Sequence, residues 1–237
     1  MLRRIDYGES DRILTLLTRE HGRVGALARG VRRPESRLSA ALELYGEIDA
    51  QLASGHSLEI VTQAVRLPAP RLPADLEHTA YAALVAEVAE RVTDERHPEP
   101  GVFELTRLAL QDLAVSPPAR AAAWFVMAAL TYLGYAPELG ACAGCGEPLA
   151  ESPHPFSVRQ GGFLCPACAP PSAPLVPPAT IKVLRVMASG DINLYRRLKL
   201  DQVLIQDVQS VLEDQLQYHL DRQLRSLRFL RQMRFTA

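Results

Sequence analysis

The sequence predicts an α+β protein, in which a small β-barrel is followed by a helical region that a four-cysteine module interrupts. Three observations support this prediction: five strand-like patterns within residues 1–66, helical periodicity from residue 75 onward, and two Cys-x-x-Cys pairs between the predicted helices. The chain has 237 residues, 48% of them hydrophobic, which suffices for one large domain or two to three smaller ones with their own cores.

The clearest predicted strand covers Leu42–Leu52, where apolar and polar residues alternate with the period of a half-buried strand. Residues 23–29 alternate in the same manner, and residues 12–18 are rich in Ile, Leu and Thr. With residues 1–5 and 58–65, they make four further predicted strands. The longest connection follows the third strand, contains Pro34 and has room for a short helix near residues 39–41. Five strands with an insert after the third favour an OB-type Greek-key barrel, and an SH3-like barrel is the alternative.

A proline-rich stretch separates the barrel from the helices. The three prolines within residues 67–73 predict a stiff linker, and apolar residues at helical spacing follow it. Trp124 is expected in the helical core. The predicted helices cover a stretch capped by Asp75 or the residue before it, then residues 102–115, 120–133, 180–189 and 201–220. The predicted domains are 1–70 (OB-type barrel), 71–138 (first helical part), 139–172 (cysteine module) and 173–237 (second helical part).

The four cysteines of the chain form two Cys-x-x-Cys pairs, Cys142 with Cys145 and Cys165 with Cys168. This spacing is typical of a zinc site, because two tight turns can aim four thiolates at one ion. Four thiolates leave no coordination position open, so we expect a structural zinc ion and not a catalytic one. The alternatives are a redox-active pair, or cysteines that no longer bind metal.

Charge is strongly segregated along the chain, although the formal net charge is only −1. Residues 29–37 carry a net charge of +3 and residues 222–234 one of +5, whereas residues 75–104 carry −6. Any nucleic-acid surface is therefore expected to be local.

The first residues lack the apolar segment of a signal peptide, and the apolar run at 121–136 is too short for a membrane span, so we expect a cytoplasmic protein.

Four stretches of the chain match one family pattern in the right order. They are Tyr7–Gly22, Ala28–Leu38, the cysteine module with Gly161-Gly162-Phe163-Leu164 before its second pair, and Tyr218-His219-Leu220 with Leu224–Leu230. Together they span nearly the whole chain, and the first stretch and the cysteine module are the more specific ones. On these residues the sequence resembles the RecO family of DNA repair and recombination mediator proteins.

The resemblance implies an N-terminal OB-fold domain and a helical domain with an inserted four-cysteine zinc module. It implies a mediator that is not an enzyme, binds single- and double-stranded DNA and anneals complementary strands. It further implies a RecR-type partner, with which the protein helps to load RecA recombinase onto strands coated with single-strand-binding protein. Contact with the acidic tail of that coat protein and a location in the cytoplasm, at the nucleoid, are also implied.

Candidate DNA-binding residues lie in two basic regions. Arg29, Arg32, Arg33 and Arg37 lie on or beside a barrel strand, where OB proteins commonly bind nucleic acid, with a solvated loop as the alternative. Lesser candidates are Arg12 and Arg23, and Tyr7 and Tyr45 are candidates for base stacking. The second region, for DNA or the acidic tail, comprises Arg196, Arg197, Lys199 and the arginines from Arg222 onward, among them Arg225 and Arg228. A solvated helix face is the alternative for this region. Because those last arginines are three residues apart, we expect them to spiral around a helix.

Two other functions are compatible with the same architecture. One is a zinc-stabilised, OB-type RNA-binding or ribosome-associated module, which 2′-hydroxyl contacts would distinguish. The other is a scaffold that binds only proteins. An enzyme is the least expected class, because the predicted metal site is closed, no P-loop occurs and the six histidines show no catalytic spacing to a carboxylate or serine.

Overall fold

The computed structural model of the chain describes residues 1–220 and 223–236. It divides into two compact units, one formed by Met1–Pro118 with Arg228–Ala237 and the other by Ala119–Leu227. The strands are β1 (Arg3–Tyr7), β2 (Asp11–Thr18), β3 (Gly22–Ala28), β4 (Ile48–Ala53), β5 (Glu59–Arg66), β6 (His154–Ser157), β7 (Gly162–Phe163) and β8 (Leu175–Val176). The helices are α1 (Leu76–Arg91), α2 (Pro100–Leu113), α3 (Pro118–Tyr132), α4 (Pro178–Ala188), α5 (Ile192–Arg197), α6 (Gln202–His219) and α7 (Arg225–Thr236).

The first five strands form one sheet in the order β1-β2-β3-β5-β4. All neighbours pair antiparallel except β3 and β5, which pair in parallel through Ala26 and Leu27. Tyr45 donates its backbone N–H to the carbonyl of Met1 at 3.1 Å, which brings the start of the chain to the segment before β4. This strand order confirms the predicted OB-type fold over the SH3-like alternative, and the α+β class is also confirmed.

The barrel core follows from the alternation of the strands. Leu14 and Leu16 of β2 are buried, as are the even-numbered residues Val24, Ala26 and Ala28 of β3. Their odd-numbered neighbours are more accessible, because successive side chains of a strand point to opposite faces.

One predicted strand is too long. The strand predicted at Leu42–Leu52 is correct only from Ile48 onward, since residues 42–47 are irregular, with a turn at Leu44 and Tyr45. Tyr45 has a φ of +64°, in the left-handed region, which ends any strand pattern there. Leu42 and Leu44 still pack into the barrel core, so their alternation reflected burial without strand structure. The short helix expected near residues 39–41 is likewise a series of turns, in which Ala41 and Leu42 donate to the carbonyl of Leu38.

Helix starts follow capping chemistry. Asp75 caps α1, because its Oδ1 accepts the backbone N–H of His78 at 2.9 Å, as predicted. The helices α2, α3 and α4 each begin two residues earlier than predicted, at Pro100, Pro118 and Pro178. Proline is favourable in the first turn of a helix, where its missing N–H has no intrahelical partner to lose.

The helical core of the second unit surrounds Tyr195. This ring is buried, lies 5.2 Å from the ring of Trp124, and faces the guanidinium of Arg120 at 4.7 Å. The Tyr195 hydroxyl donates to the carbonyl of Arg120 at 3.1 Å, and Gln209 Nε2 donates to the carbonyl of Ala119 at 3.1 Å. Trp124 is therefore part of this core, although it is only half-buried. Throughout the described ranges, none of the helices is long and apolar enough to cross a membrane.

Candidate metal centre and nucleic-acid interface

The four cysteines meet at one point. Their sulfur atoms all lie within 4.8 Å of one another, and the Cys145 and Cys165 sulfurs are 3.8 Å apart. An ideal tetrahedron with zinc–sulfur bonds of ~2.3 Å has sulfur–sulfur edges of about 3.8 Å. The donor set and its size therefore fit a tetrahedral metal ion, and the predicted grouping of the cysteines is confirmed.

Backbone groups orient the first cysteine pair. The N–H groups of Cys165 and Gly144 point at Cys142 Sγ, at 3.2 and 3.4 Å. A Cβ at position 144 would lie 3.2 Å from Cys168 Sγ, tighter than an ordinary contact, so the close approach of the two pairs favours a glycine there. The hydrogen bond from the Cys165 N–H is the main cause that lowers the pKa of Cys142 to about 6. Hydrogen bonds with the neighbouring cysteines, above all Cys165, favour the neutral thiol of Cys168 and raise its pKa to about 12.

A histidine and a glutamate tie the cysteine module together. His154 is buried, with Nδ1 3.2 Å from the carbonyl of Leu164 and Nε2 3.0 Å from that of Ala150. Glu138 Oε1 accepts the backbone N–H groups of Gly140 and Ala141 at 2.7 and 3.0 Å, which lowers the pKa of this carboxyl. No sequence pattern predicts a role for either residue, and only their position beside the cysteine turns singles them out.

The β1–β2 hairpin holds the basic loop, residues 29–37. Asp11 Oδ1 accepts the backbone N–H of Gly30 at 2.7 Å, and the carbonyl of Ser10 accepts that of Arg32 at 2.9 Å. Gly30 has a φ of +62°, a conformation that side chains disfavour, so this turn suits glycine. The motif that begins at Tyr7 therefore shapes the basic loop, and Asp11 serves this turn.

Three arginines of the basic loop are exposed and have no ion-pair partner among the described residues: Arg29, Arg33 and Arg37. Arg32 is also exposed, and its Nε lies 3.5 Å from Asp6 Oδ2. A carboxylate at this position was not anticipated from the sequence. The loop thus presents a concentration of positive charge beside the sheet, as the sequence predicted.

The lesser candidates have protein partners. Arg12 Nε donates to Asp6 Oδ1 at 2.9 Å, and the Arg23 guanidinium donates to the carbonyl of Glu90.

Tyr7 is exposed at the end of β1, where a base can reach its ring. Tyr45 does not lie on a strand, although the predicted strand Leu42–Leu52 includes it. It packs beside Leu2 and the helices α1 and α2, and burial raises its pKa.

The second basic region is divided between two helices. Arg196, Arg197 and Lys199 are exposed at the end of α5. Arg225 and Arg228 are exposed on α7, whereas Arg231 and Arg234 are half-buried, as the predicted spiral requires. Arg222 lies outside the described residues. These positions do not test contact with DNA or a partner, so the role of this region stays a prediction.

Two family models match the chain almost end to end. Residues 1–67 match the model described as Recombination protein O N terminal, and residues 73–228 match the one described as Recombination protein O C terminal. The chain belongs to the RecO family. The basic loop falls in the N-terminal RecO match, and the cysteine module falls in the C-terminal one.

Curated RecO proteins are similar over nearly their whole length. The chain is 36% identical to the DNA repair protein RecO of Bacillus subtilis (strain 168) over 239 residues, which cover 98% of the chain and 92% of that protein. It is 35% identical to that of Desulforudis audaxviator (98% and 94% covered) and 34% identical to that of Bifidobacterium longum (strain NCC 2705; 97% and 95% covered). Membership of the RecO family supports a role in DNA repair and recombination.

Proposed function

We propose that this protein is a recombination mediator that binds DNA, anneals complementary single strands and catalyses no bond chemistry. The observation that carries the proposal is the basic loop on an OB-type sheet, with Arg29, Arg33 and Arg37 exposed and free of acidic partners among the described residues. OB folds commonly bind single strands through a positively charged groove beside their strands. The names of the curated relatives, which are DNA repair proteins, support the same role.

Annealing requires that two polyanions approach each other. Arginines that neutralise phosphates on both strands lower their mutual repulsion and raise their local concentration. The basic loop supplies one such surface, and the exposed arginines of α5 and α7 supply candidates for a second. Four phosphate contacts by the basic loop predict a log–log salt slope of about −3 for single-stranded DNA, at roughly −0.7 per phosphate.

Protein partners complete the proposed role. With a RecR-type partner, the protein helps to load RecA onto strands coated with single-strand-binding protein. The exposed cations Arg196, Arg197 and Lys199 suit the acidic tail of that coat protein by charge. The proposed place of action is the cytoplasm, at the nucleoid.

We propose zinc for the four cysteines, in a structural role. All four protein ligands are thiolates, which leaves no position for water or substrate. When bound, zinc neutralises the repulsion between the thiolates and joins the two Cys-x-x-Cys turns. The chain's own contribution is to aim the sulfurs, through the N–H groups at Cys142 and the glycine at position 144.

The decisive experiment is annealing of two complementary DNA strands, both precoated with the cognate single-strand-binding protein, at two salt concentrations. We expect the protein to accelerate annealing, and the acceleration to weaken with salt, because exposed charges are screened. The double variant Arg29→Gln/Arg33→Gln should lose most of this acceleration.

The matched control is Arg71→Gln/Arg159→Gln, which removes the same charge from exposed positions outside the basic loop and should anneal like the unchanged protein. Equal losses in both double variants would show that only net charge matters. No acceleration at either salt concentration, together with tighter binding of RNA than of DNA of the same sequence, would favour the RNA-binding alternative.

A further inference from the structure

Asp6 lies between two arginines from different parts of the chain. Its Oδ1 accepts a hydrogen bond from Arg12 Nε at 2.9 Å, and its Oδ2 lies 3.5 Å from Arg32 Nε. Arg12 is directly opposite Asp6 in the β1–β2 register, whereas Arg32 belongs to the basic loop. One carboxylate therefore draws two guanidinium groups to a common point on the surface.

Positive charge exceeds negative charge at this point. The hydrogen bond from Arg12, with the charges of Arg32, Arg12 and Arg4, holds the pKa of Asp6 below its usual value. Each guanidinium has five N–H donors, and the contact with Asp6 uses the Nε group of each, so further donors remain for a second oxyanion. The Asp6 side chain is 54% exposed, so an anion in solution can reach the position that it occupies.

We propose that a backbone phosphate of bound DNA takes the place of the Asp6 carboxylate between Arg12 and Arg32. This inference rests on the DNA-binding function proposed above. A phosphodiester oxyanion carries the same charge as the carboxylate and accepts the same hydrogen bonds from guanidinium groups. In the free protein Asp6 keeps the two arginines together, and on binding it competes with the phosphate for them.

Asp6→Asn tests the competition, because the amide removes the charge and keeps a side-chain oxygen that can accept from Arg12. We expect the affinity for a single-stranded oligothymidylate, measured by fluorescence anisotropy at low salt, to rise about two- to fivefold, the usual effect of an exposed ion pair. The gain should shrink as salt is added, since the charges are screened.

Glu9→Gln is the matched control. Glu9 is exposed at the tip of the same hairpin, makes no ion pair with any described residue, and loses the same charge in this variant. Equal gains in Asp6→Asn and Glu9→Gln would overturn the proposal, because the effect would then be general electrostatics. A lower affinity of Asp6→Asn would overturn it too, since Asp6 would then only orient the arginines.

Arg32→Gln provides a second test. If Asp6 competes through Arg12 and Arg32, the gain from Asp6→Asn should largely disappear in the Arg32→Gln background, whereas a full gain there would contradict the proposal. Thermal melting of each variant verifies that it folds. An unchanged affinity of Asp6→Asn overturns this inference alone, but failure of the unchanged protein to bind the oligonucleotide overturns the proposed function as well.

Discussion

Asp11 connects a sequence motif to the shape of the basic loop. Its carboxylate accepts the Gly30 N–H at 2.7 Å. Asp11 begins β2 and Gly30 follows the end of β3, and no spacing rule links the two positions in the sequence. The Asp11 side chain thus supplies an acceptor for the backbone N–H of Gly30, which comes after the last residue of β3. Together with the bond from the Arg32 N–H to the carbonyl of Ser10, it fixes the start of the basic loop to the β1–β2 hairpin.

Asp11→Ala should destabilise the protein by about 1 kcal/mol, because the partly buried Gly30 N–H loses its acceptor. It should also weaken binding of single-stranded DNA, because the loop is no longer held. Asp11→Asn retains an acceptor and should preserve both stability and binding. Urea denaturation and anisotropy measure the two effects, and equal damage in the two variants would show that the charge of Asp11 matters and not its hydrogen bond.

The N-cap of α1 should make stability depend on pH. The backbone hydrogen bond from His78 holds the pKa of Asp75 below its usual value in the folded protein. The stabilisation is therefore present above the unfolded-state pKa of about 3.9 and is lost as the pH falls through the lower, folded-state value. Melting temperatures from pH 7 to pH 3 should fall more steeply for the unchanged protein than for Asp75→Asn, which caps without titrating. Parallel curves would show that Asp75 contributes no pH dependence.

Among the elements, the cysteine module is the one whose stability we expect to depend on a ligand. Strands β6, β7 and β8 contribute only four, two and two residues, so a metal ion is the natural source of additional stability. Cys145→Ser should lower the melting temperature by about 5 °C or more and reduce the zinc content of the purified protein.

Cys145→His is the control for the metal, because a set of three cysteines and one histidine also binds zinc and this position is exposed enough for the larger side chain. It should recover most of the zinc content and of the melting temperature. If Cys145→Ser kept the melting temperature and lost only annealing activity, the structural assignment of the metal would be wrong.

Residue patterns along the chain predicted the strands whose alternate side chains are buried, and cysteine spacing predicted which sulfur atoms meet. Alternation located β3, a content of Ile, Leu and Thr located β2, and two Cys-x-x-Cys pairs located the cysteine cluster. Alternation gave a wrong strand between residues 42 and 47, where Leu42 is buried and Leu44 partly buried without strand structure, beside a left-handed Tyr45. The roles of Asp6 and His154 depend on partners that only the folded chain brings near, so no local pattern could reveal them.

On the scale of the whole molecule, the packing of Trp124 against Tyr195 has a practical consequence. Trp124 is the single tryptophan of the chain, and it lies in the unit formed by Ala119–Leu227. Its intrinsic fluorescence is therefore a built-in reporter for that unit, while far-ultraviolet circular dichroism follows the helices and strands of both. Whether the two denaturation curves coincide distinguishes a single cooperative transition from two independent ones.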